Sequence, residues 1–203
     1  MPSCFPSRGD QKLIQIIDAA LADTTRRSGD WLACRPGCTQ CCIGAFAINQ
    51  LDAARLRTGL LKLHSQAPDR AAAIRQRASD AVSRLSATFP GDAITGILDE
   101  SEDSARQFED FANHEPCPVL DPQTGLCELY DSRPMTCRVF GPPVCSEDGL
   151  GVCELCFNGA TDDQIAACEM IPDPDQVEER LLAKVERTTG VHGNTTVAFC
   201  LAS

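Results

Sequence analysis

The chain has 203 residues, 13 of them cysteine, with 43% hydrophobic and only 5% aromatic residues, so a core must come from Leu, Ile, Val and Ala. A formal charge of −11 repels phosphate backbones and anionic lipid heads, which argues against nucleic acid or a membrane surface as partner. The length fits a single domain over 1–203. Met1–Arg8 has no apolar export region and no run reaches the roughly 18 apolar residues of a membrane span, so the expected location is cytoplasmic. A reducing cytosol keeps thiols free, and an odd number of cysteines cannot all pair, so metal binding or catalysis is expected rather than a disulfide framework.

In chain order, Asp10 reads as the N-cap of a helix over 10–28, with Leu13, Ile14, Ile16, Ile17, Ala20 and Leu21 at helical spacing and a stop near Gly29. The segment 44–49 reads as extended, and Asn49 caps a second helix with Asp52 at its third position and Leu51, Leu56, Leu60 and Leu61 as apolar positions. Between Pro68 and Pro90 a third helix presents Ile74, Ala78, Val82 and Leu85 on one face. Residues 91–102 read as loop, followed by a short helix through Ala105, Phe108 and Phe111.

Pro, Gly and turn residues dominate from Cys117 to Cys156, a stretch with too little apolar periodicity to hold itself without cross-links. Asp173-Pro-Asp-Gln176 reads as a capping box opening a helix over 173–189 with Val177, Leu181 and Val185 on its face, ended by Gly190. Thr195–Phe199 reads as a strand. The expected fold is thus mainly α, a small single domain with few short strands and irregular, metal-stabilised cysteine-rich loops, its cysteine core spanning 34–156.

Cys34-x3-Cys38-x2-Cys41-Cys42 places four thiols in nine residues, a spacing that lets a tight turn at Pro36-Gly37 present several sulfurs to one ion at about 2.3 Å. Adjacent Cys41 and Cys42 leave the backbone in different directions, so they serve different metals, or one binds while the other packs. The second group is Cys117, Cys127, Cys137, Cys145 and Cys153-x2-Cys156, with a turn at 121–125 folding Cys127 back toward Cys117. No βαβ pattern surrounds the Cys153-x2-Cys156 pair, which favours metal over thioredoxin-like redox chemistry. All-thiolate ligation suits zinc and iron–sulfur clusters alike.

Cys34-x3-Cys38-x2-Cys41-Cys42, Cys117-Pro-x-Leu, Cys127-x-Leu-Tyr130 and Arg133-Pro-x2-Cys137-Arg-x-Phe140 together resemble the YkgJ-like cysteine-cluster family. The resemblance implies a zinc- or iron-chelating domain with eight cysteine ligands, one branch of the family acting as a flagellin lysine methylase. Carried onto this chain, the implied ligands are Cys34, Cys38, Cys41, Cys42, Cys117, Cys127 and Cys137, completed by Cys156, then Cys153, ahead of Cys145. The first gap holds three residues where the family commonly has two.

The function expected is a metal-binding protein holding zinc or an iron–sulfur cluster through clustered thiolates. An iron–sulfur-dependent oxidoreductase or protein lysine methyltransferase-like enzyme, a metal carrier and an unknown protein partner remain open. Arg133 and Arg138 flank Cys137 and either offset thiolate charge or pair with Asp131 or Glu128. Tyr130 reads as core, while Cys4, Cys168 and Cys200 stand alone and read as ordinary thiols. His64, His114 and His192 are too few and scattered for a histidine-rich centre.

Overall fold

The computed structural model describes residues 7–146 and 149–202, so Cys4 lies outside the described residues. Helix α1, Arg8–Ser28, is capped three residues before the expected position, because the Ser7 hydroxyl accepts the Asp10 N–H at 3.2 Å. Asp10 is buried instead, for a reason given below. Gly29, at φ 51°, ends the helix as expected and returns its N–H to Thr25 O. Helix α2, Gln50–Gln66, is capped by Asn49, whose Oδ1 accepts the Asp52 N–H at 2.9 Å. Leu51, Leu56 and Leu60 are buried, whereas Leu61 falls off the stripe and is 63% exposed.

Helix α3, Pro68–Leu85, starts on its proline and buries Ile74 and Ala78 as expected, with Val82 and Leu85 partly covered. Residues 91–102 hold more order than a loop: β1, Gly91–Asp92, pairs antiparallel with β2, Ile97–Leu98. Helix α4, Glu102–Asp110, follows from a Ser101 cap. In the second cysteine region lie the short α5, Met135–Val139, and a hairpin of β3, Val144–Ser146, with β4, Gly149–Gly151. Thr161 and Gln164 form a reciprocal capping box that opens α6, Asp162–Ala166.

Two expectations near the C-terminus are corrected. Helix α7, Val177–Thr189, begins after the expected box, because Gln176 adopts a left-handed conformation (φ 51°) that no helix can include. Asp173 still serves the helix end, its Oδ2 accepting the Glu178 N–H at 2.8 Å, and Gly190 (φ 71°) ends it as expected. Val197–Ala202 is a helix, α8, rather than a strand. Residues 197–201 are buried without interruption, so packing on α3 and α2 overrides the local β preference of Thr-Thr-Val. Only Thr195 keeps strand-like pairing, exchanging both backbone hydrogen bonds with Ile48 at 2.8 and 2.9 Å.

Three apolar clusters fill the frame. One joins α2, α3 and α8 around Leu56, Ile74 and Cys200; a second joins α1 to α7 around Leu13 and Ile17. The third is aromatic, with Phe89 and Phe199 stacked at 4.0 Å beside Phe108 and Phe111. None of the described helices is long and apolar enough to cross a membrane.

Arg55 is 4% exposed and lies between two buried carboxylates. Its Nε and Nη2 donate to Asp10 Oδ1 at 2.8 and 2.6 Å, and its Nη1 to Asp52 Oδ1 at 2.5 Å. Burial pushes the Asp52 carboxyl up to about 6 while Arg55 pulls it down. Removing the cation alone would leave two carboxylates buried and unpaired. Arg55→Met is therefore expected to cost about 3–5 kcal/mol, read as a fall in the urea unfolding midpoint. Asp10→Asn and Asp52→Asn added to Arg55→Met should recover most of that loss.

Candidate metal centre

The first cysteine loop is a run of tight turns. Gly37 takes the positive φ (89°) that its turn requires, and the Cys38 N–H returns to Arg35 O at 2.9 Å. A 3₁₀ turn over Gln40–Cys42 follows. The turn at 121–125 folds as expected: the Asp121 N–H donates to Leu126 O at 2.9 Å, and Leu120 pairs with Cys127. Two backbone hydrogen bonds then join the loops, Cys117 N–H to Cys42 O at 2.7 Å and Gly44 N–H to Glu115 O at 2.9 Å.

Brought together by these turns, the thiols act on one another in two groups. Cys34, Cys38, Cys153 and Cys156 form one. Cys34 and Cys153 both feel Cys156, and each also feels Cys38. Burial, followed by these neighbours, pushes Cys34 up to about 12 and raises Cys153. Cys41, Cys42, Cys117, Cys127 and Cys137 form the other set. A hydrogen bond from the Cys42 thiol lowers Cys41 to about 6 and drives Cys42 upward, with Cys117 and Cys127 adding to the rise. Burial, with thiol neighbours of the same set, raises Cys117 to about 11 and raises Cys127 and Cys137 as well. Adjacent Cys41 and Cys42 thus stay together in one set.

Backbone amides point at several of these sulfurs. The N–H of Val119 holds the Cys117 thiol down, that of Leu129 does so for Cys127 and that of Leu155 for Cys153, each against the rise from burial. A donor two residues past the cysteine favours thiolate and fixes its direction, as sulfur ligands of zinc and iron require. Gly141, at φ 126°, backs Cys34 so closely that a Cβ there would come 2.7 Å from its Sγ. The donor set, the amide donors and this cradle fit a soft metal or cluster held by sulfur. Among the described residues, no three His, Cys, Asp or Glu side chains already stand at ligating geometry around a common point. The sets are convergences of thiols rather than finished coordination spheres.

The remaining residues separate cleanly. Cys145 lies exposed on β3, and Cys168 and Cys200 are buried in apolar clusters. Arg133 acts electrostatically on Cys41 and Cys127, the charge-offsetting role considered for it. Arg138 does not take that role: it donates to Asp18 Oδ1 and Asp131 O, both at 2.7 Å, and ties α5 to α1. Tyr130 is 57% exposed with the Arg133 guanidinium 3.5 Å above its ring, not a core residue, because its 3₁₀ turn lies at the surface. A cavity of about 650 Å³ opens onto the thiols of the five-cysteine set and onto Cys34 and Cys38. Gly141 and the amide donors escaped sequence reading, since any residue can supply an N–H and nothing distinguishes this glycine from a turn glycine.

A family model covers residues 33–157, more than half of the chain, under the description "Putative zinc- or iron-chelating domain". The chain belongs to this CxxCxxCC family. Its matched stretch begins just before Cys34 and ends just after Cys156, so both thiol sets fall inside it. No curated protein and no solved structure matches the chain.

Gly141→Ala tests the cradle. Gly149 has a similar positive φ (112°) but open space where a Cβ would go, so Gly149→Ala carries backbone strain alone. Gly141→Ala should cost about 1–3 kcal/mol from φ strain and more than Gly149→Ala, the excess reporting the Cys34 contact, as measured by urea unfolding.

Proposed function

We propose that this chain binds zinc or an iron–sulfur cluster through the thiolates of Cys34, Cys38, Cys41, Cys42, Cys117, Cys127, Cys137, Cys153 and Cys156. The observation that carries the reading is the convergence of thiols from two loops far apart in sequence, several of their sulfurs already receiving backbone N–H donors. Core packing alone gives no reason to crowd nine thiols, because like-charged neighbours and burial both disfavour their ionised forms. Bound to a cation, these thiols would release their protons to solvent and hold the two loops closed. Metal binding of this kind supplies on the order of 10 kcal/mol of folding free energy, which suits loops with little apolar surface of their own.

The cavity beside the thiols supports a second reading, an iron–sulfur-dependent enzyme with room for a substrate next to its centre. In that case the protein's own contribution would be the positive charge of Arg133 and the amide donors at sulfur. The two readings separate on metal identity.

Elemental analysis of the anaerobically purified chain decides this. Stoichiometric zinc in a colourless protein supports the zinc reading, and iron with acid-labile sulfide in a brown one supports the cluster. Absence of both metals would overturn the proposal. Cys137→Ser should lose at least half of the bound metal and unfold at lower urea, and full retention would remove Cys137 from the ligands.

A further inference from the structure

A second cleft, of about 980 Å³, opens where no described cysteine lines the wall. The β1–β2 hairpin, the turn after α7, α2 and α8 form its sides. Hydrogen bonds lock these sides together: the Leu98 N–H donates to Asn194 O and Gln50 Nε2 to Gly193 O, both at 2.8 Å. We propose that this cleft binds a small zwitterion with an apolar side chain, a free amino acid or a short peptide. The site is independent of the thiols and goes beyond the proposed metal binding.

Two nearly sealed side chains leave polar atoms unused there. Gln50 is 4% exposed and Thr195 3%, and both line the cleft. A carbonyl oxygen such as Gly193 O can only accept, so it takes the Gln50 Nε2 and turns Oε1 the other way, where it meets no partner among the described residues. Both backbone groups of Thr195 pair with Ile48, yet its Oγ1 is likewise unpartnered. Neither oxygen is among the unpaired polar atoms cut off from solvent, so both open into the cleft. Buried polar groups are rarely left unpaired, and a ligand with its own donors would complete these two.

Charges of both signs line the same cleft without closing on one another. Arg57 donates from Nε to Cys200 O at 3.3 Å and forms no ion pair among the described residues. Asp92 Oδ1 accepts the Ile94 N–H and Asp99 Oδ1 the Ser101 N–H, both at 2.9 Å, which fixes the two carboxylates in local turns; neither pairs with a described cation. A ligand carrying both signs fits this lining, its carboxylate on the Arg57 guanidinium and its ammonium toward Asp92, Asp99 and Gln50 Oε1. A plain anion would face the two carboxylates, and a plain cation the guanidinium. Phe89 and Phe199, stacked on each other and also lining the cleft, offer apolar surface to the ligand's side chain. Because the walls are already hydrogen-bonded to one another, little ordering is left for binding to bring about.

The test titrates the full chain, as purified, with L-phenylalanine, with L-phenylalaninamide, which lacks the carboxylate, and with N-acetyl-L-phenylalanine, which lacks the ammonium. L-phenylalanine should bind saturably, and each blocked form at least about tenfold more weakly, as the loss of a charge-assisted hydrogen bond implies. Arg57→Gln should abolish the preference for L-phenylalanine over its amide, while retained binding of the amide shows the cleft intact. Asp92→Asn with Asp99→Asn should abolish the preference over the acetylated form. Glycyl-L-phenylalanine tells the two sources apart, a peptide if it binds more tightly than L-phenylalanine and a free amino acid if less. No saturable binding of either zwitterion at millimolar concentration, equal binding of the blocked and unblocked forms, or unchanged preferences in the variants would each overturn the proposal.

Discussion

The hydrogen bond from the Cys117 N–H to Cys42 O is the constraint on which the rest depends. It sets the first cysteine loop directly against the second, although three helices separate them in sequence. With Gly44 N–H to Glu115 O beside it, the pairing forms a short antiparallel ladder between two segments that have no strand of their own. Closing so long a loop costs conformational entropy, which grows only slowly with length. The helices between contribute most of the compensation, since α2 and α3 pack on each other and on α8 and so return the chain to its starting point. The frame thus delivers the two loops to each other, and the ladder fixes their register.

The frame is joined to the site through charge. Asp52 Oδ1 takes the Arg55 guanidinium and also the N–H of Met135, at 3.0 Å, the first residue of α5. That helix carries Cys137, so a carboxylate from the first turn of α2 anchors the segment presenting this thiol. Arg138 makes the second tie, from α5 to Asp18 on α1. A buried ion pair is weak evidence of net stabilisation. Here its geometry does something apolar packing could not, because a carboxylate can bind a guanidinium and a free helical N–H at once.

Sequence periodicity identified the helices whose apolar stripe faces a core, and caps such as Asn49 marked their ends, because both signals are local. Cysteine spacing likewise marked the loops, down to the fold-back of Cys127 toward Cys117. Signals failed where distant partners decided the conformation. Asp10 resembles a cap but is recruited by Arg55; Thr195–Phe199 resembles a strand, but α3 covers it as a helix; Arg138 lies beside Cys137 in sequence yet reaches toward α1.

Charge makes the arrangement costly unless sulfur is neutralised. The chain already carries a formal charge of −11, and two fully ionised thiolate sets would add several negative charges in partly buried loops. Arg133 counters part of this at Cys41 and Cys127, but one guanidinium stacked on an exposed ring cannot balance five thiolates. Backbone amides add partial positive charge without adding a side chain, and they reach Cys117, Cys127 and Cys153. What they leave uncompensated has the sign and softness of a thiophilic cation's complement. A sulfur-rich pair of loops in an acidic chain is electrostatically consistent only with such a cation between them or with its thiols protonated. The backbone amides beside Cys117, Cys127 and Cys153, which favour the ionised sulfur, side with the cation.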